Sequence, residues 1–526
     1  MFLDRGGFDV VVGNPPYISF KHGQDLEKCL LKEQYASAFR NYDYYVLFIE
    51  RGIGLGRING KFGYITSNKF IESRYGEKVK KLISKKTTIV ELIDFVDFRV
   101  FWGVRNYTCI LLLNINSESG GKFTKYLVLD KVLPDANIED ILSSAKRKLI
   151  DIESAKNWEF VDRLNKEIID FCLRQPKLVE FAKVYEGVRP GPEKAYVLDS
   201  IGEELEREII KPFIKTKNID RYVICWQDDS YIIFPYGDDL NLVNLFEFPQ
   251  IKRHLDQFIN DLYDNKGKGG ERYGYYHCPK EILSENKIIT PDIAKSNEFV
   301  IDVIGSFIFP NTIYGLSFKE EYKGTEKSVL LLLNSKLIGF IIKNWSPKIR
   351  GGYLRYKTEY LQELPIIAFD KNSIEFFTST TLCNYLLQAY NRNPKLDGKE
   401  RSDLVDFLEF ISNCVVYELY LKQKFIEDSK KAIKEGGEPI YPQLENGPFL
   451  IDLVAKYLKP IDYDSYAKLA YSIEPLSDEE REKMGEKCLK TIKEVVDKIK
   501  ADKKIMELIE RIKEHEWVRV VEETYL

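Results

Sequence analysis

The chain opens on a short apolar run with a strand's character. Residues 8–13, "FDVVVG", concentrate β-branched side chains and predict a buried strand that stops at Gly13. At 41–57, "NYDYYVLFIERGIGLGR" changes to helical spacing, placing Tyr45, Phe48 and Ile49 on one face before turning at its glycines. "KFGYITS" (61–67) predicts a second strand, and "RYGEKVKKLISKK" (74–86) an amphipathic helix. Two more strands follow in "TIVELIDF" (88–95) and "YTCILLLN" (107–114). Strands and helices alternating at these spacings predict an α/β sheet over residues 1–175, with the charged stretch from about 136 to 174 as a helical connector.

The texture then changes. From Val184 to about Ala368 short strands, turns and aromatics follow one another, as in "YVICWQDDSYIIFPYG", which predicts an α+β domain over 176–368. From Phe369 helical patterns dominate, giving a helical region over 369–526. Its last stretch balances Lys against Glu and reads as a solvated helical surface, with a coiled-coil contact as the alternative. A length of 526 residues exceeds what one hydrophobic core serves and agrees with three domains.

Composition narrows the picture in three places. With 44% hydrophobic and 30% charged residues the chain is ordinary globular protein, which argues against disorder. A net charge of −4 does not mark a nucleic-acid binder, but an average leaves room for a local basic face. The eight cysteines and four histidines are scattered without C-x-x-C or metal-ligand spacing, so neither a disulfide framework nor a metal site is expected, and the chain reads as cytoplasmic. No signal peptide is visible. The most apolar run, "SVLLLLNSKLIGFII", is broken by Asn334 and Lys336 before it could span a bilayer, so no membrane partner is expected.

The first candidate chemistry follows the opening strand, at Asn14, Pro15, Pro16 and Tyr17. Two prolines fix φ twice and remove two N–H donors, so the loop is rigid and extended, and the Asn14 side chain and Pro15 carbonyl are free to act as a pair of acceptors. Tyr17 adds a flat aromatic face. Acceptors beside a stacking ring at a strand's carboxyl end suit a planar ring bearing an exocyclic amino group, as in enzymes that hold a flipped nucleotide. An ordinary Pro-rich turn is the plainer reading. Phe101, in "DFRVFWGVRNYTC", lies in a loop between two strands and offers a second stacking face, unless Phe101 or Trp102 is simply core. "GIGLG" (52–56) imitates a nucleotide-binding glycine loop, but helical periodicity precedes it and a strand follows, the reverse of the order such a loop needs. Two basic runs, "KPFIKTKNIDR" (211–221) and "KNWSPKIRGGYLRYK" (343–357), supply candidate DNA contacts at Lys215, Lys217, Arg221, Lys348, Arg350, Tyr353, Arg355 and Lys357. Solvated loops would carry the same charges.

Taken together, "NPPY" after an apolar strand, "NYDYYVLFIERG", "FGYITSNKFIESRYGEKVKKLI" and "VFWGVRNYTCILLLN" resemble motifs IV, V, VI and VIII of gamma-class N6-adenine DNA methyltransferases. Residues 184–366, notably "GVRPGPEKAYVLD", "IIKPFIKTKNIDRY" and "GYLRYKTEYLQELPI", resemble the TaqI-like specificity domain fused to many of them, as in type IIG restriction-modification enzymes. The resemblance implies a Rossmann-like sheet, S-adenosylmethionine as cofactor and double-stranded DNA as partner. It gives Asn14 and Pro15 the adenine amino group and the methyl end of the cofactor, and Tyr17 and Phe101 the two faces of the extruded base. One departure is plain. The glycine-rich motif I and the acidic residue for the cofactor ribose should precede motif IV, yet only thirteen residues precede Asn14. The expectation is therefore the carboxyl-terminal part of a split or truncated adenine methyltransferase, completed by an amino-terminal methyltransferase or restriction subunit. A protein-glutamine methyltransferase, which also uses NPPY, and a non-catalytic DNA-binding specificity subunit are the alternatives.

Overall fold

The computed structural model describes residues 6–18, 25–95, 108–116, 123–128, 146–151, 158, 163–226, 230–264, 273–346, 352–391, 398–443, 447–470 and 478–525. The chain divides into two compact units, Met1–Ile168 and Ile169–Leu526.

In the first unit, β1 (Phe8–Gly13), α1 (Asp25–Gln34), α2 (Tyr45–Leu55), β2 (Gly56–Ser67), α3 (Lys69–Glu72), α4 (Glu77–Lys86), β3 (Thr87–Asp94), β4 (Thr108–Ile115), β5 (Phe123–Val128) and β6 (Lys146–Asp151) follow in order. The strands form one mixed sheet in the order β1-β2-β4-β3-β5-β6. β1 runs parallel to β2 and β3 parallel to β5, while β4 is antiparallel to both β2 and β3 and β6 antiparallel to β5. The carboxyl ends of β1, β2 and β3 thus share one edge of the sheet. Tyr45, Val46, Ile49 and Ile53 of α2 and Val79 and Ile83 of α4 pack with Phe62, Leu92, Leu111 and Leu113 of the sheet and with Trp158 into one core.

Three expectations change here. Among the described residues β1 is an edge strand, with Phe8, Val10 and Val12 exposed at 40%, 56% and 75%. A continuous apolar run is buried only when both faces of a strand are covered, and among the described residues this face of β1 is not. The helix at 45–55 does not stop at its glycines but runs through Gly52 and Gly54. Gly52 is needed for proximity, since a Cβ there would come within 2.7 Å of Phe62 and of the Tyr64 hydroxyl. Its buried stripe is Tyr45, Val46, Ile49 and Ile53, with Phe48 facing out at 44% exposure. Among its described residues the expected helical connector contains the strand β6 as well as the helix Arg163–Cys172.

The second unit joins short antiparallel sheets to helices. Four strands pair in the order Val300–Asp302, Lys287–Pro291, Ile313–Phe318, Ala182–Glu186, and three in the order Val197–Leu198, Tyr231–Ile233, Ile210–Pro212. Lys287 Nζ and Asp302 Oδ2 form a fully buried ion pair at 2.6 Å across the first sheet, and the same carboxylate accepts the Gly305 and Phe307 amides at 3.0 Å. The helices Glu326–Leu333 and Lys336–Trp345 carry the most apolar run and bend by 61° at their junction. There the Asn334 side chain exchanges two hydrogen bonds with the Phe299 backbone and Ser335 caps the second helix. Among the described residues no single helix is long and apolar enough to cross a membrane. The helices Ile374–Tyr390, Gly398–Glu435, Asp478–Ala501, Lys503–Glu514 and Glu516–Tyr525 are among those of the same unit. The last of these is fastened to Lys336–Trp345 by the Lys336–Glu522 ion pair, and Gly339 leaves room for the Tyr525 ring.

Candidate active site

The loop Asn14–Tyr17 leaves the carboxyl end of β1, where the proline pair ends the strand that Gly13 still pairs opposite Tyr64. Pro15 is buried, Asn14 and Pro16 are exposed, and Tyr17 is half-buried. The Tyr17 hydroxyl lies 2.9 Å from Asn14 Oδ1, to which it donates, and 3.3 Å from the Ile65 carbonyl on β2. Its ring meets Tyr45 edge-on, with centroids 6.5 Å apart at 88°. Tyr45 is buried and shares a 2.8 Å hydrogen bond with the Tyr75 hydroxyl, which lies 3.3 Å from Asp43 Oδ2. Burial, with a smaller contribution from Cys109, pushes the Tyr17 phenol up to about 12, so it stays a donor at any ordinary pH.

The same edge of the sheet holds a second polar group. Asn68, just past β2, donates to Asp94 Oδ1 at the end of β3 at 2.9 Å, and Asp94 is itself buried. Burial, and then the Asp94 carboxylate, raise the Cys109 thiol well above its ordinary range, so Cys109 is an inert core residue and not a nucleophile. Sequence reasoning missed Asn68 and Asp94. The one signal available for them was position, at the carboxyl ends of two strands that run in the same direction on either side of β4. The structure thus brings Asn14, Pro15, Pro16 and Tyr17 together, while Phe101 lies outside the described residues.

In the second unit the basic residues separate. Lys217 is exposed, and Lys215 and Lys357 are partly so. Arg355 belongs to, and Tyr353 immediately precedes, one strand of a two-stranded ribbon in which Ile293–Ala294 pairs with Leu354–Arg355. The ribbon also places the exposed Lys295, unmarked by any charge run in the sequence, 5.3 Å from the centre of the Tyr353 ring. Arg355 Nη1 is 3.6 Å from Asp292 Oδ2. Lys348 and Arg350 lie outside the described residues. Arg221 departs from its expected place facing DNA. Its guanidinium is turned inward, paired with Glu409 at 2.6 Å and bonded to the Asn334 carbonyl and the Tyr525 hydroxyl. Burial works against this charge, yet Tyr525 and Glu409 hold it above its ordinary range.

Comparison with known proteins agrees with the resemblance read from the motifs. Residues 1–101 match the Eco57I restriction-modification methylase family, and residues 211–366 match the TaqI-like C-terminal specificity domain. Over 382 residues the chain is 25% identical to the Type II methyltransferase M.BstVI of Geobacillus stearothermophilus, covering 68% of this chain and 67% of that protein. Over 466 residues it is 24% identical to the Type II restriction enzyme and methyltransferase RM.Eco57I of Escherichia coli, covering 80% of this chain and 46% of that one. In fold it is similar to the Type IIL restriction-modification enzyme MmeI, solved in complex with DNA, with a TM-score of 0.52 at 12% identity over 78% of this chain and 54% of the other. The chain spans about half to two thirds of the length of these relatives.

Proposed function

We propose that this chain, in which an Eco57I-type methylase segment precedes a TaqI-like specificity domain, supplies the base-holding and DNA-reading parts of a site-specific DNA adenine methyltransferase of a restriction-modification system. The observation that carries the reading is the exposed Asn14 acceptor held beside the Tyr17 ring at the carboxyl end of a strand. Asn14 Oδ1 and the Pro15 carbonyl accept the two N–H groups of a flipped adenine, which turns the N6 lone pair outward. Tyr17 stacks on the base, and Phe101 closes its other face. S-adenosylmethionine supplies the methyl group. N6 forms the new bond to carbon, the carbon–sulfur bond breaks to leave a thioether, and N6 releases a proton to water.

The residues around Asn14 and Pro15 fit only the methyl end of that cofactor. We assign its methionine, ribose and adenine parts to an amino-terminal methyltransferase or restriction subunit. The apolar face of β1 that stays exposed among the described residues, and its place at the end of the described strand order, support this, because neighbouring strands would cover both. Sequence reading falls to the second unit, with Lys215, Lys217, Lys348, Arg350, Tyr353, Arg355 and Lys357 on DNA. Transfer of labelled methyl to unmethylated DNA by the assembled enzyme tests the core of the proposal. Asn14→Ala should abolish transfer while leaving the melting temperature and DNA binding close to native, since Pro15 and Pro16 hold the loop. Transfer near the native rate would refute it.

A further inference from the structure

We propose that Arg189 reads a guanine, its guanidinium donating to the O6 and N7 acceptors on the major-groove edge of one base in the recognised DNA site. The inference rests on the sequence-reading role proposed for the second unit. Arg189 precedes the segment 211–366 that matches the specificity domain, yet the strand before it, Ala182–Glu186, shares a four-stranded sheet with three strands from inside that segment. Ala182–Glu186 and Lys287–Pro291 are both antiparallel to Ile313–Phe318, so they run in the same direction and end at one edge of the sheet. From that edge the first strand leads to Arg189, and the second to the ribbon with Lys295, Tyr353 and Arg355. Arg189 therefore leaves the sheet at the edge that already carries candidate DNA contacts.

The backbone beneath it is pinned on both sides. Gly187 admits no side chain, since a Cβ would come within 2.2 Å of the Phe309 carbonyl oxygen, and the Val188 amide donates to that same carbonyl at 2.8 Å. Arg189 and His277 then exchange backbone hydrogen bonds of 2.8 and 3.3 Å. Beyond them Gly191 takes a φ of +100° between Pro190 and Pro192. The Arg189 side chain stays 51% exposed, with Nη2 paired to the Glu186 carboxylate. That partner decides between phosphate and base. A carboxylate offsets the positive charge on which a phosphate contact depends, but it leaves N–H groups of the guanidinium to bond a neutral base edge. A planar fork that only donates fits guanine, whose major-groove edge sets two acceptors side by side. Arg355, on the other branch from the same edge, is arranged alike beside Asp292.

The test is selection from a library of randomised DNA duplexes by the assembled enzyme, native or carrying Arg189→Ala or Arg189→Lys. The native enzyme should select a site with a G·C pair at a position where Arg189→Ala accepts any pair. Discrimination there should fall about 5- to 150-fold, the worth of one bidentate contact, with the other positions kept. Arg189→Lys should not restore it, because an ammonium lacks the planar fork. On the native site the log–log salt slope should change by less than about 0.3, and the melting temperature should stay close to native because the side chain is exposed. A preference kept at every position, relaxation at an A·T pair, an equal loss on all sequences with a slope lower by about 0.9, or full restoration by lysine would overturn the inference. The sequence-reading role fails separately, if the native enzyme selects no consensus at all, and the inference then falls with it.

Discussion

Replacing Arg221 separates a DNA contact from a structural tie, because the two roles make opposite predictions. Its side chain is 13% exposed and that of Glu409 21%. Arg221→Met keeps the apolar stem but removes the charge facing Glu409 at 2.6 Å and the donors to Asn334 and Tyr525. Breaking a buried pair from one side costs about 3–5 kcal/mol. Glu409 keeps its hydrogen bond from Tyr390 and some solvent, which places the expected cost near the lower bound, about 3 kcal/mol. For a unit as long as Ile169–Leu526 that corresponds to a fall in melting temperature of roughly 4 °C. Arg221→Met with Glu409→Gln should recover part of the loss, since no unpaired charge then remains. Thermal melting followed by circular dichroism, alongside DNA binding at several salt concentrations, reads both properties. The structural role is refuted if Arg221→Met melts with the native protein while the log–log salt slope drops by about 0.9, the signature of one phosphate no longer neutralised.

Three further outcomes follow from the same structure. Lys217→Ala, Lys295→Ala and Lys357→Ala combined should flatten the salt dependence of DNA binding by roughly 0.9 for each phosphate they neutralise, and an unchanged slope would mean these side chains face away from DNA. Alkaline pH should unfold the protein cooperatively. Burial raises the phenols of Tyr45, Tyr222, Tyr275 and Tyr356 well above 10, so their contribution is full below about pH 10 and falls as pH rises further. The last part of the tyrosinate absorbance, from these buried rings, should therefore appear together with loss of circular dichroism, and full ionisation in a protein that still melts would contradict this. Isothermal titration of the chain without a partner should show no tight S-adenosylmethionine binding. Low-micromolar, one-to-one binding would place a complete cofactor site within these residues.

Much of this was legible in the sequence because local pattern and tertiary environment agree. "TIVELIDF" and "YTCILLLN" are mostly β-branched or apolar and form the paired interior strands β3 and β4. The Asn-Pro-Pro-Tyr loop was legible for a backbone reason, since two prolines end a strand wherever it lies. What failed depended on neighbours. "FDVVVG" reads as buried because apolar runs usually are, whereas among the described residues it ends the strand order and leaves one face exposed. Gly52 and Gly54 look like a stop, yet the close approach of α2 to Phe62 and Tyr64 keeps Gly52 inside the helix. Arg221 sits in a basic run and is claimed by Glu409, 188 residues away, a pairing no local window contains. Lys295 is the converse, an unremarkable residue carried beside Tyr353 by a two-stranded ribbon.

The most direct measurement of the central claim is nucleoside mass spectrometry on DNA from a methylation-deficient host. The host would express this chain together with the reading frame immediately upstream of its gene. N6-methyladenine should appear with the native chain and vanish with Asn14→Ala. Methylation of cytosine in place of adenine, no modified base at all, or N6-methyladenine that persists after Asn14→Ala would contradict the account.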